Sequence, residues 1–374
     1  MNESLRALFP VTERAIYLNH ATVSPPPIPT IKAVESQLAD VSENGSVNFR
    51  NWRAVKENAR RLVAGMIGAR PEQVAFTRNT SDGLSTVANG LVWQPGDNLV
   101  TFRHEFPANV YPWLRVRDAF GVEVRRCEER DGRIDLDELT GLIDDKTRVV
   151  AISQIQFASG FRADLERIGR AARAHDALLV VDVIQALGVV PIDVESELVD
   201  VAAAACHKWL LTPEGVGLLY LSARARERIQ PTLVGWTSVP NPEDYRNFEQ
   251  GWNKGTLAWE TGTAPIALIH GLEASLKLIE EIGICRIKTH LEGLTDHLCE
   301  RLRNTQYEVV SSRRAGEKSQ IVCIRNLAGF SSMDLYAHLK KRNIITAPRG
   351  DRLRISPHLY NTLEEMDELL KALP

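Results

Sequence analysis

An α/β fold with a large, mostly parallel sheet and a smaller α+β domain after it is what this sequence predicts. Three observations lead there. Between about Val74 and Leu221, short apolar runs alternate with helical patterns, the signature of parallel strands covered by helices. After Thr263 the pattern changes to two long helical stretches followed by strands that alternate with helices. The length of 374 residues suits roughly two domains, at ~150 residues each.

Taken in order, the proline cluster Ser24-Pro25-Pro26-Pro27-Ile28-Pro29 forbids regular structure and predicts an extended segment, with a helix beginning at Thr30 and running to Val41. A strand over Gln73 to Thr77 leads into a helix over Gly83 to Leu91. Further strands are expected at Asn98 to Phe102, Val149 to Ile152, Leu178 to Asp182, Val201 to Ala205 and Val216 to Leu221. The segment Asp164 to His175 puts Leu165, Ile168 and Ala172 on one face and arginines on the other, as a surface helix does. Helices are expected at Ala264 to Ile282, Cys285 to Arg303, Met333 to Arg342 and Leu363 to Ala372. The last is opened by a capping box of Thr362 and Glu365. Strands Tyr307 to Ser311, Gln320 to Arg325 and Arg352 to Ser356 complete the smaller domain. The division reads as an N-terminal segment over 1–14, a large domain over 15–262 and a small one over 263–374.

Composition narrows the function. A hydrophobic content of 44%, a charged content of 25% and a net charge of -3 offer no excess of positive charge for nucleic acid or acidic membrane, so a small molecule is the expected partner. The cysteines, Cys127, Cys206, Cys285, Cys299 and Cys323, are odd in number and lack metal-ligand spacing, which points to a reducing cytoplasm. No apolar run approaches the ~18 residues of a membrane span. A Gly-x-Gly-x-x-Gly after a strand, the mark of a nicotinamide enzyme, is missing, and no metal motif is present.

The chemistry is carried by an ordered set: Asn79-Thr80-Ser81-Asp82-Gly83, then Val181-Asp182-Val183-Ile184-Gln185, then Cys206-His207-Lys208-Trp209. Each piece alone has an ordinary explanation. Thr80 or Ser81 could be a helix N-cap, Asp182 a turn acid, Gln185 a surface amide and Lys208 a solvated lysine. Together they supply what pyridoxal 5′-phosphate needs: a lysine for the imine, a carboxylate for the pyridine nitrogen and an anion site for the phosphate. Thr80 and Ser81 open a helix, where backbone N–H groups and the dipole favour an anion. Asp182 ends an apolar strand, where the ligands of α/β sheets gather. Gln185 could reach the phenolic oxygen of the cofactor. Lys208 follows another apolar run, and desolvation there lowers its pKa.

These segments resemble the class V aminotransferase-fold enzymes, which include cysteine desulfurases, kynureninases and isopenicillin N epimerase-like proteins. The resemblance covers nearly the whole chain. It also takes in Tyr17-Leu18-Asn19-His20-Ala21, the segment from Glu105 through Trp113, and Arg354 through Thr362. It implies the fold-type I architecture with a seven-stranded sheet, and a homodimer with a shared active site. Phe106 matches the ring that stacks on the cofactor. His207 and Thr263 match phosphate ligands, Thr263 coming from the second subunit. Arg354 matches the arginine that takes the substrate carboxylate, and Asn19, His20 and Ala21 would line the substrate entrance. The sequence departs from the desulfurases at the loop Ile345 through Leu353, which has no cysteine, and at Phe157, where they carry asparagine. Cys206 also stands where relatives often have glycine or serine. The Phe106 and Phe157 pattern is similar to the epimerase-like branch.

The expected activity follows. Lys208 removes the α-proton of an amino acid held by Arg354, while Asp182 keeps the ring able to absorb the charge. Transamination, β-elimination and epimerisation share that step. Transamination or a lyase outcome is favoured, because epimerisation needs a second acid or base opposite Lys208, for which His20 is the candidate. A non-catalytic relative that uses the fold to bind a partner is the alternative of a different class; the presence of Asp182, Lys208 and Arg354 together weighs against it.

Overall fold

The computed structural model describes residues 3–374. Its seven-stranded sheet is built from β1 (Val74–Thr77), β2 (Asn98–Phe102), β3 (Glu123–Cys127), β4 (Thr147–Ser153), β5 (Leu178–Asp182), β6 (Val201–Ala205) and β7 (Gly217–Leu221), in the order β1-β7-β6-β5-β4-β2-β3. Every pairing is parallel except those of β7, which runs antiparallel to both β1 and β6. Alternation of side chains divides the core: Leu179 and Val181 of β5 join one apolar cluster, while Leu178 and Val180 join the other on the opposite face. Both faces of the central strands are therefore buried, which is why they read as continuous apolar runs.

Two local expectations are corrected, and one strand was not expected. The helix after the proline cluster spans Ile28–Asn44 and begins two residues earlier, because Pro29 lies in its first turn, where a missing N–H and a fixed φ are tolerated. The helix expected from Gly83 spans Thr80–Gly90, with Asn79 as its N-cap accepting from the Asp82 N–H, so neither Thr80 nor Ser81 is the cap. Strand β3 had no apolar run to announce it: it reads Glu-Val-Arg-Arg-Cys because it is the edge of the sheet, where charge is compatible with exposure.

The smaller part is a four-stranded antiparallel sheet of Tyr307–Val309, Val322–Asn326, Arg352–Ile355 and Ala347–Arg349, in that order. The N-terminal segment crosses to it. Ile16 and Tyr17 pair in parallel with Ile344 and Ile345, and Asn19 bridges to Ser356. Helix Ile266–Ile282 packs against Ile28–Asn44 and Phe49–Met66. The two sheets also meet through the turn after β4. Ser311 and Ser319 hydroxyls donate to the carbonyls of Ser159 and Gly160, and the Gln320 amide donates to the Gln185 carbonyl at 2.6 Å.

Gly160 is the tightest point of this junction. Its φ is +73°, and a Cβ there would stand 2.3 Å from the Ile321 carbonyl oxygen. Gly160→Ala is expected to lower stability by more than the ~1–2 kcal/mol of the left-handed conformation alone, read as a shift of the urea midpoint at unchanged slope.

Candidate active site

The site forms where β4, β5 and β6 end side by side. Asp182, the last residue of β5, is in register with Ser153 of β4 and Ala203 of β6. Lys208 follows three residues after β6, and helix Thr80–Gly90 begins beside it, since the Ala205 N–H donates to Thr80 Oγ1 at 2.9 Å. A cavity of about 340 Å³ opens there, lined by Thr80, Ser81, Phe106, Asp182, Gln185, His207 and Lys208, with Ala21 and Arg354 on the far side. The structure thus brings together most of the residues singled out in the sequence.

Lys208 is 6% exposed, and its ammonium makes no hydrogen bond or ion pair among the described residues; it stands 5.3 Å from the centre of the Phe106 ring. Burial, with the Arg354 and Arg349 charges, brings its pKa down to about 8 against the opposing pull of Asp182. Asp182 accepts one hydrogen bond, from the Ile184 N–H, and burial pushes its carboxyl up to about 6. Behind it, Glu105 is held by the Ser153 N–H and hydroxyl and by Gln156, and burial raises it to about 7. His207 is half-buried, and burial lowers its imidazole. Phe106 meets Phe157 edge to face with centroids 5.2 Å apart.

Arg354 is 1% exposed and has no carboxylate partner. It donates to the Phe157 carbonyl at 2.9 Å, to Asn19 Oδ1 at 3.3 Å and to Thr22 Oγ1 at 2.5 Å, while its Nε is buried without a partner. Burial and the neighbouring Arg349 bring its pKa down to about 9. A guanidinium held so is incomplete without an anion.

Two of the residues expected at the substrate entrance are placed differently. His20 lines no part of the cavity. It is fully buried, packed against His358 and Tyr360, with Nδ1 2.8 Å from the Ser356 carbonyl and Nε2 2.7 Å from the Tyr360 hydroxyl. Burial drives its pKa down to about 3, so it stays neutral and engaged at both nitrogens. Asn19 stands behind Arg354 rather than at the entrance, and Ala21 does reach the cavity. Gln185 lines it too, but its amide N–H donates to the Ala21 carbonyl and its oxygen accepts from the Trp209 indole, leaving one N–H. Thr263 is exposed and lines a different cavity, with Phe76, Thr77, Arg78 and Asp82. Thr22 and Arg349 line the Lys208 cavity and were not anticipated. Arg349 lies in the cysteine-free loop before Arg354, and neither it nor Thr22 carried a signal in the sequence.

The donor set fits pyridoxal phosphate. A buried carboxylate with open acceptor capacity faces a desolvated lysine, and Thr80 keeps its hydroxyl proton free at a helix start, because its oxygen is already used as an acceptor. No cysteine lines the cavity.

Comparison with known proteins agrees. The model of the aminotransferase class-V family matches residues 16–369. A probable cysteine desulfurase of Methanothermobacter thermautotrophicus is 31% identical over 99% of this chain and 97% of its own, and an uncharacterized aminotransferase, YcbU, of Bacillus subtilis is 28% identical over 97% and 95%. Among solved structures, the apo cysteine desulfurase of Thermococcus onnurineus superposes with a TM-score of 0.90 at 26% identity, covering 99% of this chain and 97% of that one. The cystine C–S lyase C-DES, solved with cysteine persulfide, shares the fold at a TM-score of 0.90 and 22% identity, over 97% and 98%. With its sheet order, its lysine and aspartate at adjacent strand ends and this likeness along almost its full length, the chain belongs to the class-V aminotransferase family of pyridoxal-phosphate-dependent enzymes.

Proposed function

We propose that the protein acts at the α-carbon of an amino-acid substrate, as a lyase or an aminotransferase. The observation that carries this reading is Arg354, a buried guanidinium without a carboxylate, lining the same cavity as Lys208. An α-carboxylate on its planar fork would bring the α-carbon to the lysine side of the site. Asn19, Thr22 and the Phe157 carbonyl fix the fork, so orientation is set before a ligand arrives.

When bound, the cofactor supplies a ring that accepts the negative charge left at the α-carbon. Asp182 would hold the ring nitrogen, Thr80, Ser81 and His207 the phosphate, and Phe106 the face of the ring. Lys208 would hold the ring's aldehyde and then, released from it, accept the α-proton at Nζ; with a pKa near 8 a useful fraction of free amine exists at neutral pH. His20, the candidate for a second proton transfer, is locked away from the cavity, which favours proton removal and return by one group, as in elimination or transamination, over epimerisation. With no cysteine on the cavity wall, persulfide transfer through the protein is not part of the reading. Thr263 would reach the phosphate site of a second copy, the pairing that would also cover the exposed Trp236, Tyr245, Phe248 and Trp252. The five cysteines are all unpaired, which suits a reducing compartment, and among the described residues no helix is long and apolar enough to cross a membrane.

In heavy water, the reconstituted protein should exchange the α-proton of at least one amino acid, and borohydride should fix the cofactor on Lys208; no exchange with any amino acid and no adduct would overturn the reading. Arg354→Lys should raise the substrate concentration for half-saturation by roughly tenfold or more, since a charge-assisted hydrogen bond contributes ~1.5–3 kcal/mol. In the cofactor-free protein, amine labelling of Lys208 should follow a titration near pH 8, and Asp182→Asn should move it to lower pH, because the carboxylate is what favours the ammonium form.

A further inference from the structure

We infer that the substrate carries a second anionic group on its side chain, and that Arg349 receives it; the inference rests on the amino-acid reading above and deepens it. The cavity is lined by the cations Lys208, Arg349 and Arg354, and by one carboxylate, Asp182. One α-carboxylate satisfies Arg354 and leaves Arg349 without a counter-charge.

Arg349 is half-buried, and its hydrogen bonds go to neutral oxygens alone: its own neighbour's carbonyl, Pro348, at 2.6 Å, and Thr22 Oγ1 at 3.0 Å. Arg354 donates to that same Thr22 oxygen, so two guanidiniums share one hydroxyl with no anion between them. Each lowers the other's affinity for its proton or that of Lys208. Three other arginines withdrawn from water each meet a carboxylate: Arg60 with Glu260 at 2.6 Å, Arg224 with Asp200 at 2.8 Å and Arg352 with Glu129 at 2.7 Å.

The last of these is instructive, because Arg352 is directly opposite Arg349 on the same hairpin, where cross-strand partners share a face. Arg352 is neutralised by the large domain, while Arg349 and Arg354 are turned on the cavity and left open. Two forks fixed on one rigid hairpin suit two carboxylates of one molecule. The substrate class is therefore an amino acid with a carboxylate or comparable oxyanion on its side chain.

The test compares L-aspartate and L-glutamate with L-asparagine, L-glutamine and L-alanine, by titrating the cofactor absorbance of the reconstituted protein. Succinate against propionate is titrated calorimetrically on the cofactor-free protein. An acidic amino acid should bind at least about tenfold more tightly than its amide, a difference of ~1.4 kcal/mol. Arg349→Gln should remove that preference, bringing the acidic-to-amide affinity ratio to within about twofold of unity. A preference that survives Arg349→Gln, tighter binding of the amides, or an Arg349→Gln protein that loses the cofactor and keeps the preference would each overturn the inference. If no amino acid perturbs the cofactor yet succinate binding requires Arg349, the amino-acid reading fails and the dianion site stands.

Discussion

The organising constraint of this molecule is an unbalanced set of charges buried at the carboxyl end of a parallel sheet. A lysine and an arginine are each almost fully withdrawn from water, a second arginine is half withdrawn, and Asp182 is the one carboxylate lining their cavity. Burying unpaired charge costs several kcal/mol per ion, and proteins accept it where a ligand restores the balance. The lowered pKa values of Lys208 and Arg354 and the raised one of Asp182 are the signature of that withdrawal. Phosphate and carboxylate groups are the kinds of anion that restore such a balance.

The fold holds these groups in place from two directions. Parallel strands β4, β5 and β6 set Asp182 and Lys208 at neighbouring strand ends, a placement imposed by backbone register. The C-terminal hairpin supplies Arg349 and Arg354 from the other side. Between them runs the N-terminal segment, tied to both. The Ser24 N–H donates to the His207 carbonyl, Gln185 holds the Ala21 carbonyl, Asn361 holds the Tyr17 carbonyl and the Ser356 N–H reaches the Leu18 carbonyl. His20 is the pin of this seam rather than a reactive group: its two nitrogens join the segment to Ser356 and Tyr360.

Likeness to cysteine desulfurases and aminotransferases extends over the whole frame, whereas the reaction is decided by a few side chains on it. Here the hairpin before Arg354 turns an arginine on the cavity, no cysteine reaches it, and Phe106 and Phe157 meet edge to face over the lysine side. These features concern the shape and charge of what can bind.

Much of this was determined by the sequence alone. Strands buried on both faces announce themselves as unbroken apolar runs, so β2 and the strands that deliver Asp182 and Lys208 stand where the runs stand, within a residue or two. Polar residues placed just past those runs marked groups that the fold gathers around one cavity, because a charge beside a buried strand needs a partner. Other matters were decided only by tertiary structure. Edge strand β3 carries charges and had no apolar period to read. Whether His20 faced the cavity or the core depended on Ser356 and Tyr360, more than three hundred residues away. Arg349 and Arg352 look alike along the chain, and only the position of Glu129 in the folded protein neutralises one and leaves the other open. Local periodicity follows from neighbours in sequence, but charge compensation depends on neighbours in space.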